Sequence, residues 1–363
     1  MLEKLNKELK KAKLDGFVTP STDEFLNEFT PLHLNRLKTL TGFTGSFGMA
    51  IGNYLITDGR YLLQAKKEVD KSFTIIELRE QQTGKLKGKK IGYDPKTIAL
   101  KNLNLLKQIF GSDLNLIPTT NLVDKISQPK APEIRAVFEL PIKYAGMSSA
   151  DKIKLIRQNF TGDSLLITNP DAICWLLNIR GYDVPYTPYL LAYLLIHKAG
   201  HPILFTDPKK VLHLANVKVQ EFCELKNHLK GVIQFDPNKT PVWFGQNILN
   251  KLEKTDPVER IKAVKNSTEI KGFIDCHIED GKAMVAFLKY LGKNWTNLDE
   301  LTASQKLLEF RQKAKLFQYP SFKSISAFGS NGAIIHYHPT LLTCKKFKNN
   351  NLYLIDSGGQ YLN

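Results

Sequence analysis

The sequence predicts an α/β protein of several domains, two of them alike. Three observations carry this. The chain has 363 residues, more than one hydrophobic core ordinarily serves. Short apolar strand signals alternate with helical stretches along its whole length. One series of these signals also occurs twice. GFVTP (16–20), GFTGSFGMAIG (42–52) and YLITDGRYLLQAKKEV (54–69) are answered by SLLITNP (164–170), PYLLAYLLIH (188–197) and HPILFTDPKK (201–210). Thr19 precedes Asp58 by the same 39 positions by which Thr168 precedes Asp207. Two units with one order of strands and helices indicate a duplication.

Leu2, Leu5 and Leu9 at the start mark one face of an amphipathic helix. Charges run through this segment, so it is not a secretory signal. A proline-containing stretch at 128–148 is the expected boundary between the two alike units, with Ser149 capping the next helix. A second boundary is expected near 253–266. Asn266 and Glu269 then form a capping-box pattern ahead of a long helix, and Thr296 with Asp299 repeats the device before the next. Two helices followed by SISAFGSNGAIIHYHP and NLYLIDSGGQY open a third α/β unit. The expected domains are 1–143, 144–254 and 255–363.

Composition narrows the function. The formal charge of +16 raises nucleic acid as a partner. It is spread as about +7, +4 and +5 over the three expected domains, without a basic tail. Only 8 of the 51 basic residues are arginine, the side chain best suited to bidentate phosphate and guanine contacts. Nucleic-acid binding is therefore set aside. No apolar run is long enough for a membrane span. Four scattered cysteines without a CxxC pair fit reduced, mostly buried thiols of a cytoplasmic protein.

The residues that could carry chemistry are few. Asp58 in ITDGRY and Asp207 in FTDPKK read as turn aspartates. His277 and Asp280 lie one helical turn apart and read as a solvated face. His336 and His338 in AIIHYHPT alternate along an apparent strand, which would put both imidazoles on one face. The glycines of SAFGSNGAIIHY favour a ligand close to the backbone there. Asp356 ends an apolar run at a Ser-Gly-Gly turn, but one carboxylate does not hold a catalytic divalent ion.

Several long segments, in order, resemble the three-domain Xaa-Pro aminopeptidases of the creatinase and methionine aminopeptidase superfamily. They are VTPSTDEFLNEF, GFTGSFGMAIG, ITDGRYLLQA, ICWLLNIRGYDVPYTP, DPVERIKAVKNSTEIKGF, HIEDGKAMVAFLKYL, FGSNGAIIHYHP and LIDSGGQY. The resemblance implies two creatinase N-terminal-like α/β domains followed by the first half of a pita-bread metallopeptidase domain. It implies hydrolysis of the bond between an N-terminal residue and a following proline, with two divalent metals, usually manganese, held by two aspartates, one histidine and two glutamates. It also implies a homodimer acting on peptides with proline second. Asp356 matches the first metal-ligating aspartate, and His336 matches the substrate-site histidine of the HY motif. The other four ligands are expected to be absent, so the chain should be catalytically incomplete alone. It would then need a separately encoded C-terminal half, or else be a non-catalytic dimerising or binding module, or a relic of a split gene.

Overall fold

The computed structural model describes residues 1–127, 129–130, 133–211 and 213–363. The first expected boundary, 128–148, includes residues 128, 131 and 132, which lie outside the described residues. Among the described residues the chain forms eighteen strands, β1 to β18 in chain order. The first sheet contains β1 (Gly16–Pro20), β2 (Met49–Ile51), β3 (Tyr54–Thr57), β4 (Thr74–Glu77), β5 (Lys90–Tyr93) and β6 (Asn115–Pro118), in the order β4-β3-β2-β1-β5-β6. A small ladder joins β7 (Phe138–Glu139) to β9 (Ile179–Arg180). The second sheet contains β8 (Ser164–Ile167), β10 (Tyr193–His197), β11 (Ile203–Phe205), β12 (Lys218–Gln220), β13 (Val232–Phe235) and β14 (Asn250–Glu253), in the order β12-β11-β10-β8-β13-β14.

The two sheets match strand for strand. In each, the first strand pairs antiparallel with the second and parallel with the fifth; the third runs antiparallel to the second, and both edge strands are parallel to their neighbours. The duplication read from the 39-residue spacing is thus a repeated topology. β1 and β8 are buried along their whole length because helices cover both faces of each sheet. On one face of the first sheet Val18, Ile51, Ile56 and Ile91 pack with Leu106 of the helix Leu100–Phe110; on the other Phe17 and Leu55 pack with Tyr61 and with Leu5 and Leu9 of the N-terminal helix Leu2–Ala12.

The VTPSTDEFLNEF segment locks the two units together. Asp23 accepts from the backbone N–H of Phe25 (3.0 Å) and Asn27 (3.1 Å) and from the Asn27 amide (2.9 Å). The turn so formed sends Phe25 into the core of the second unit, where it stacks on Tyr193 at 4.9 Å. Tyr193 Oη donates back to the Glu24 carbonyl at 2.8 Å.

The third unit opens with the helix Ser267–Asn294, whose Asn266–Glu269 capping box is formed as expected. Two other caps differ. Ser148, not Ser149, caps the helix Ser149–Arg157, and Asp299 pairs with Thr302 rather than Thr296 at the start of the helix Glu300–Arg311. Two short antiparallel ladders follow: β15 (Phe317–Pro320) with β18 (Gly359–Tyr361), and β16 (Ile325–Phe328) with β17 (Tyr353–Asp356). The long helix buries Phe287 but leaves Ile270, Phe273, Ile274, Ile278, Val285 and Leu288 about half exposed. The cysteines are unpaired; Cys174 alone is buried, and Cys223 is exposed, against the expectation of mostly buried thiols. No helix among the described residues is long and apolar enough to cross a membrane.

Asp23 gives this fold a testable pH signature. Burial pushes its carboxyl up to about 6 from 3.8, against the hydrogen bonds from Asn27 and Phe25 that favour the charged form. The folded group therefore binds its proton more tightly than the unfolded one. Its contribution, on the order of 3 kcal/mol, is fully present below about pH 4 and lost as pH rises through about 6. Asp23→Asn removes the titration. The difference in melting temperature between wild type and variant should fall as pH is raised across this window; a flat or rising difference would contradict it.

Candidate active site

The site is assembled around a buried carboxylate. Glu300, at the start of the helix Glu300–Arg311, is fully buried. Its Oε1 accepts from the backbone N–H of Phe328 at 2.6 Å and from Asn331 Nδ2 at 2.9 Å. Its Oε2 accepts from Tyr337 Oη at 2.8 Å and from the backbone N–H of Lys345 at 3.0 Å. Four donors from a strand end, a loop side chain, a tyrosine and a later loop therefore converge on one group. Burying a carboxylate is costly unless its lone pairs are filled in this way.

This hub decides the shape of the histidine segment. FGSNGAIIHYHP is not a strand. After β16 the chain makes a 3-10 turn, Gly329–Ala333, and then a tight turn through His336. Asn331 and Tyr337 both reach inward to Glu300, whereas an extended segment would hold residues six apart about 20 Å from each other. The two imidazoles consequently do not share a face as a pair. His338 is half-buried with Nδ1 3.4 Å from the Ser324 carbonyl, and burial holds its pKa below the ordinary value. His336 turns towards the first unit, with Nδ1 2.6 Å from Tyr61 Oη.

The residues it meets there come from ITDGRY. Asp58 forms the expected turn, accepting from the Arg60 backbone N–H at 3.0 Å. It also pairs with the Arg60 guanidinium at 2.8 Å, and that hydrogen bond, with the Arg60 backbone N–H and charge, holds its carboxyl below the usual range. Arg60 lies over the Tyr61 ring at 5.2 Å. Tyr61 was missed in the sequence because its partner His336 is 275 positions away. A faint signal existed in GFTGSF. A Cβ on Gly45 would fall 2.7 Å from the Tyr61 ring, so that glycine makes room for it. Glu28, Ser46 and Arg60 border a cleft of about 690 Å³ between the first two units.

The other sequence candidates separate. Asp207 caps a 3-10 turn and accepts from the Lys209 N–H at 3.0 Å. His277 contacts the Phe273 carbonyl through Nδ1 at 2.7 Å. Asp280 is not merely solvated: it pairs with the buried Arg311 at 2.7 Å and accepts from Tyr361 Oη at 2.8 Å; burial pushes its carboxyl up, but the hydrogen bonds from Arg311 and Tyr361 and the Arg311 charge together hold it below the usual range. Asp356 ends β17 opposite Ile325, with an exposed carboxylate. The neighbouring Ser357 Oγ is buried without a partner.

Family models match the chain from end to end. A creatinase/prolidase N-terminal domain matches residues 1–126, a second such domain 127–269, and metallopeptidase family M24 residues 273–363. The chain thus carries creatinase N-terminal domains and an M24 metallopeptidase domain, and its homologues are Xaa-Pro aminopeptidases. It is 32% identical to a probable Xaa-Pro aminopeptidase P of Laccaria bicolor, over 99% of this chain and 62% of that protein. It is 28% identical to Xaa-Pro aminopeptidase ApepP of Drosophila melanogaster, over 96% of this chain and 63% of that one. The crystal structure of X-prolyl aminopeptidase from Caenorhabditis elegans, described as a cytosolic enzyme with a di-nuclear active site, superposes with a TM-score of 0.88 at 27% identity. It covers 99% of this chain and 68% of its own length. The chain thus spans somewhat under two thirds of the length of these curated relatives. Its fold is two creatinase N-terminal domains with part of an M24 domain.

The relatives' metal chemistry can be tested against the side chains present. Among the described residues, no group of three or more His, Cys, Asp or Glu is placed to hold a metal ion. One exposed carboxylate, Asp356, does not make a two-metal cage, so residues 1–363 do not fit that centre by themselves.

The Glu300 hub yields a prediction. Glu300→Ala leaves the buried N–H of Phe328, and the part-buried N–H of Lys345, without acceptors, the former costing about 1–3 kcal/mol. Amide exchange in 325–345 should accelerate strongly while the two six-stranded sheets keep their protection. Equal loss of protection throughout the chain would show that the hub does not act locally.

Proposed function

We propose that the chain is the front portion of a metal-dependent Xaa-Pro aminopeptidase activity, the removal of an N-terminal residue that precedes proline. The observation that carries this is the contact of His336 with Tyr61, whose neighbour Arg60 borders an open cleft, in a chain whose relatives have that activity by name. In this reading the peptide lies along the cleft, His336 acts at the scissile bond, and Asp356 is one metal ligand. The domains divide near 143 and 254. Manganese, a homodimer and a cytoplasmic location belong to the same proposal.

Residues 1–363 alone are proposed to be inactive, because they supply one candidate ligand where a two-metal site needs several. A peptide with proline second, incubated with this chain and added manganese, should show no turnover above a metal-free control. Turnover abolished by Asp356→Ala would contradict this. Supplying the remainder of an M24 domain, fused after Tyr361 or as a separate chain, should give metal-dependent turnover. In that completed enzyme Asp356→Ala should abolish it. His336→Ala should keep metal content and lower the rate roughly 10²-fold, as for loss of a polar group acting on the reacting atoms. A completed protein that binds two metals yet stays inactive favours a non-catalytic binding module. For that reading the support is the intact pair of front sheets.

A further inference from the structure

A chain of hydrogen bonds runs from the first unit to His336. Glu28 Oε1 lies 3.0 Å from Ser46 Oγ, Ser46 Oγ lies 2.7 Å from Tyr61 Oη, and Tyr61 Oη lies 2.6 Å from His336 Nδ1. The middle of the relay is rigid. Tyr61 is 1% exposed, its ring meets Phe43 edge-on at 5.7 Å, and Gly45 and Arg60 bracket it.

Counting protons gives the relay a direction. An ionised carboxylate only accepts, so the single hydroxyl proton of Ser46 goes to Glu28. Ser46 Oγ is then left to accept from Tyr61, which has one proton to give. The Tyr61 oxygen is left facing His336 as an acceptor, and the proton between them belongs to Nδ1. We propose that Glu28, Ser46 and Tyr61 are positioning residues that hold neutral His336 as its Nδ1–H tautomer, leaving Nε2 as an unprotonated acceptor. Nε2 has no partner among the described residues, so it is the atom available to a peptide N–H or an O–H group. The second unit lacks such a relay: where the first reads Asp58-Gly59-Arg60-Tyr61, the second reads Asp207-Pro208-Lys209-Lys210, with no hydroxyl at the fourth position. The fixed tautomer is thus contributed by one copy of the duplicated unit, across a domain junction.

The inference rests on the assignment of His336 to the site, but its test uses no substrate. The 363-residue chain, labelled with ¹⁵N-histidine, is examined by long-range ¹H–¹⁵N correlation at about pH 8, above the reference imidazole pKa of about 6.5. His336→Gln assigns the resonance. The wild-type ring should show a protonated Nδ1 and an unprotonated Nε2. Ser46→Ala frees the Tyr61 proton to turn towards Nδ1, and should switch the ring to Nε2–H. Tyr61→Phe, which keeps the ring packed on Phe43, removes the acceptor and should shift the ring towards Nε2–H as well. A wild-type ring already in the Nε2–H form, or a tautomer unchanged in both folded variants, would overturn the proposal. Absence of aminopeptidase turnover in the completed enzyme bears on the proposed function alone and leaves the tautomer result intact.

Discussion

The arrangement of the third unit depends on satisfying one buried charge. Glu300 is placed by the first turn of a helix whose own capping box is complete. Every oxygen lone pair that is filled pulls in a piece of chain remote in sequence: the end of β16, Asn331, Tyr337 and Lys345. In the same turn Tyr337 reaches Glu300 while His336 reaches Tyr61 of the first unit. The histidine is thus carried by a turn that also supplies the carboxylate with a donor.

What it points at is supplied by the duplication. Both six-stranded sheets end an equivalent inner strand in Thr-Asp, at Asp58 and at Asp207, and in both the aspartate closes a turn on its own backbone. The copies diverge in the next three residues. Gly59-Arg60-Tyr61 delivers an aromatic hydroxyl into a niche opened by Gly45, whereas Pro208 starts a 3-10 turn that leaves Lys209 exposed and pairs Lys210 with Asp183. A shared scaffold thus carries a polar relay in one copy and a plain surface turn in the other. The Asp23 turn has the complementary role. It sends Phe25 from one unit into the core of the next, so the sheets and the cleft between them are held in register.

Much of this was legible in the chain. Strand order, the duplication, the long capped helix and the turn roles of Asp58 and Asp207 come from near-neighbour chemistry: alternation of apolar residues, a capping box, a side chain bonding its own backbone. Such interactions span a few residues, and a single sequence displays them directly. Family membership was legible for the same reason, since whole ordered segments carry it.

The histidine turn, the Glu300 hub and the Tyr61 relay were decided only by the tertiary structure. An apolar stretch with alternating histidines reads as a strand until a buried carboxylate 31 positions from Asn331 demands two inward donors from it. Asp280 reads as solvated until Arg311 and Tyr361 close on it. In each case the deciding energy is the cost of leaving a buried polar group unpaired. That cost attaches to partners brought together by folding, so local pattern does not reveal which groups will share it.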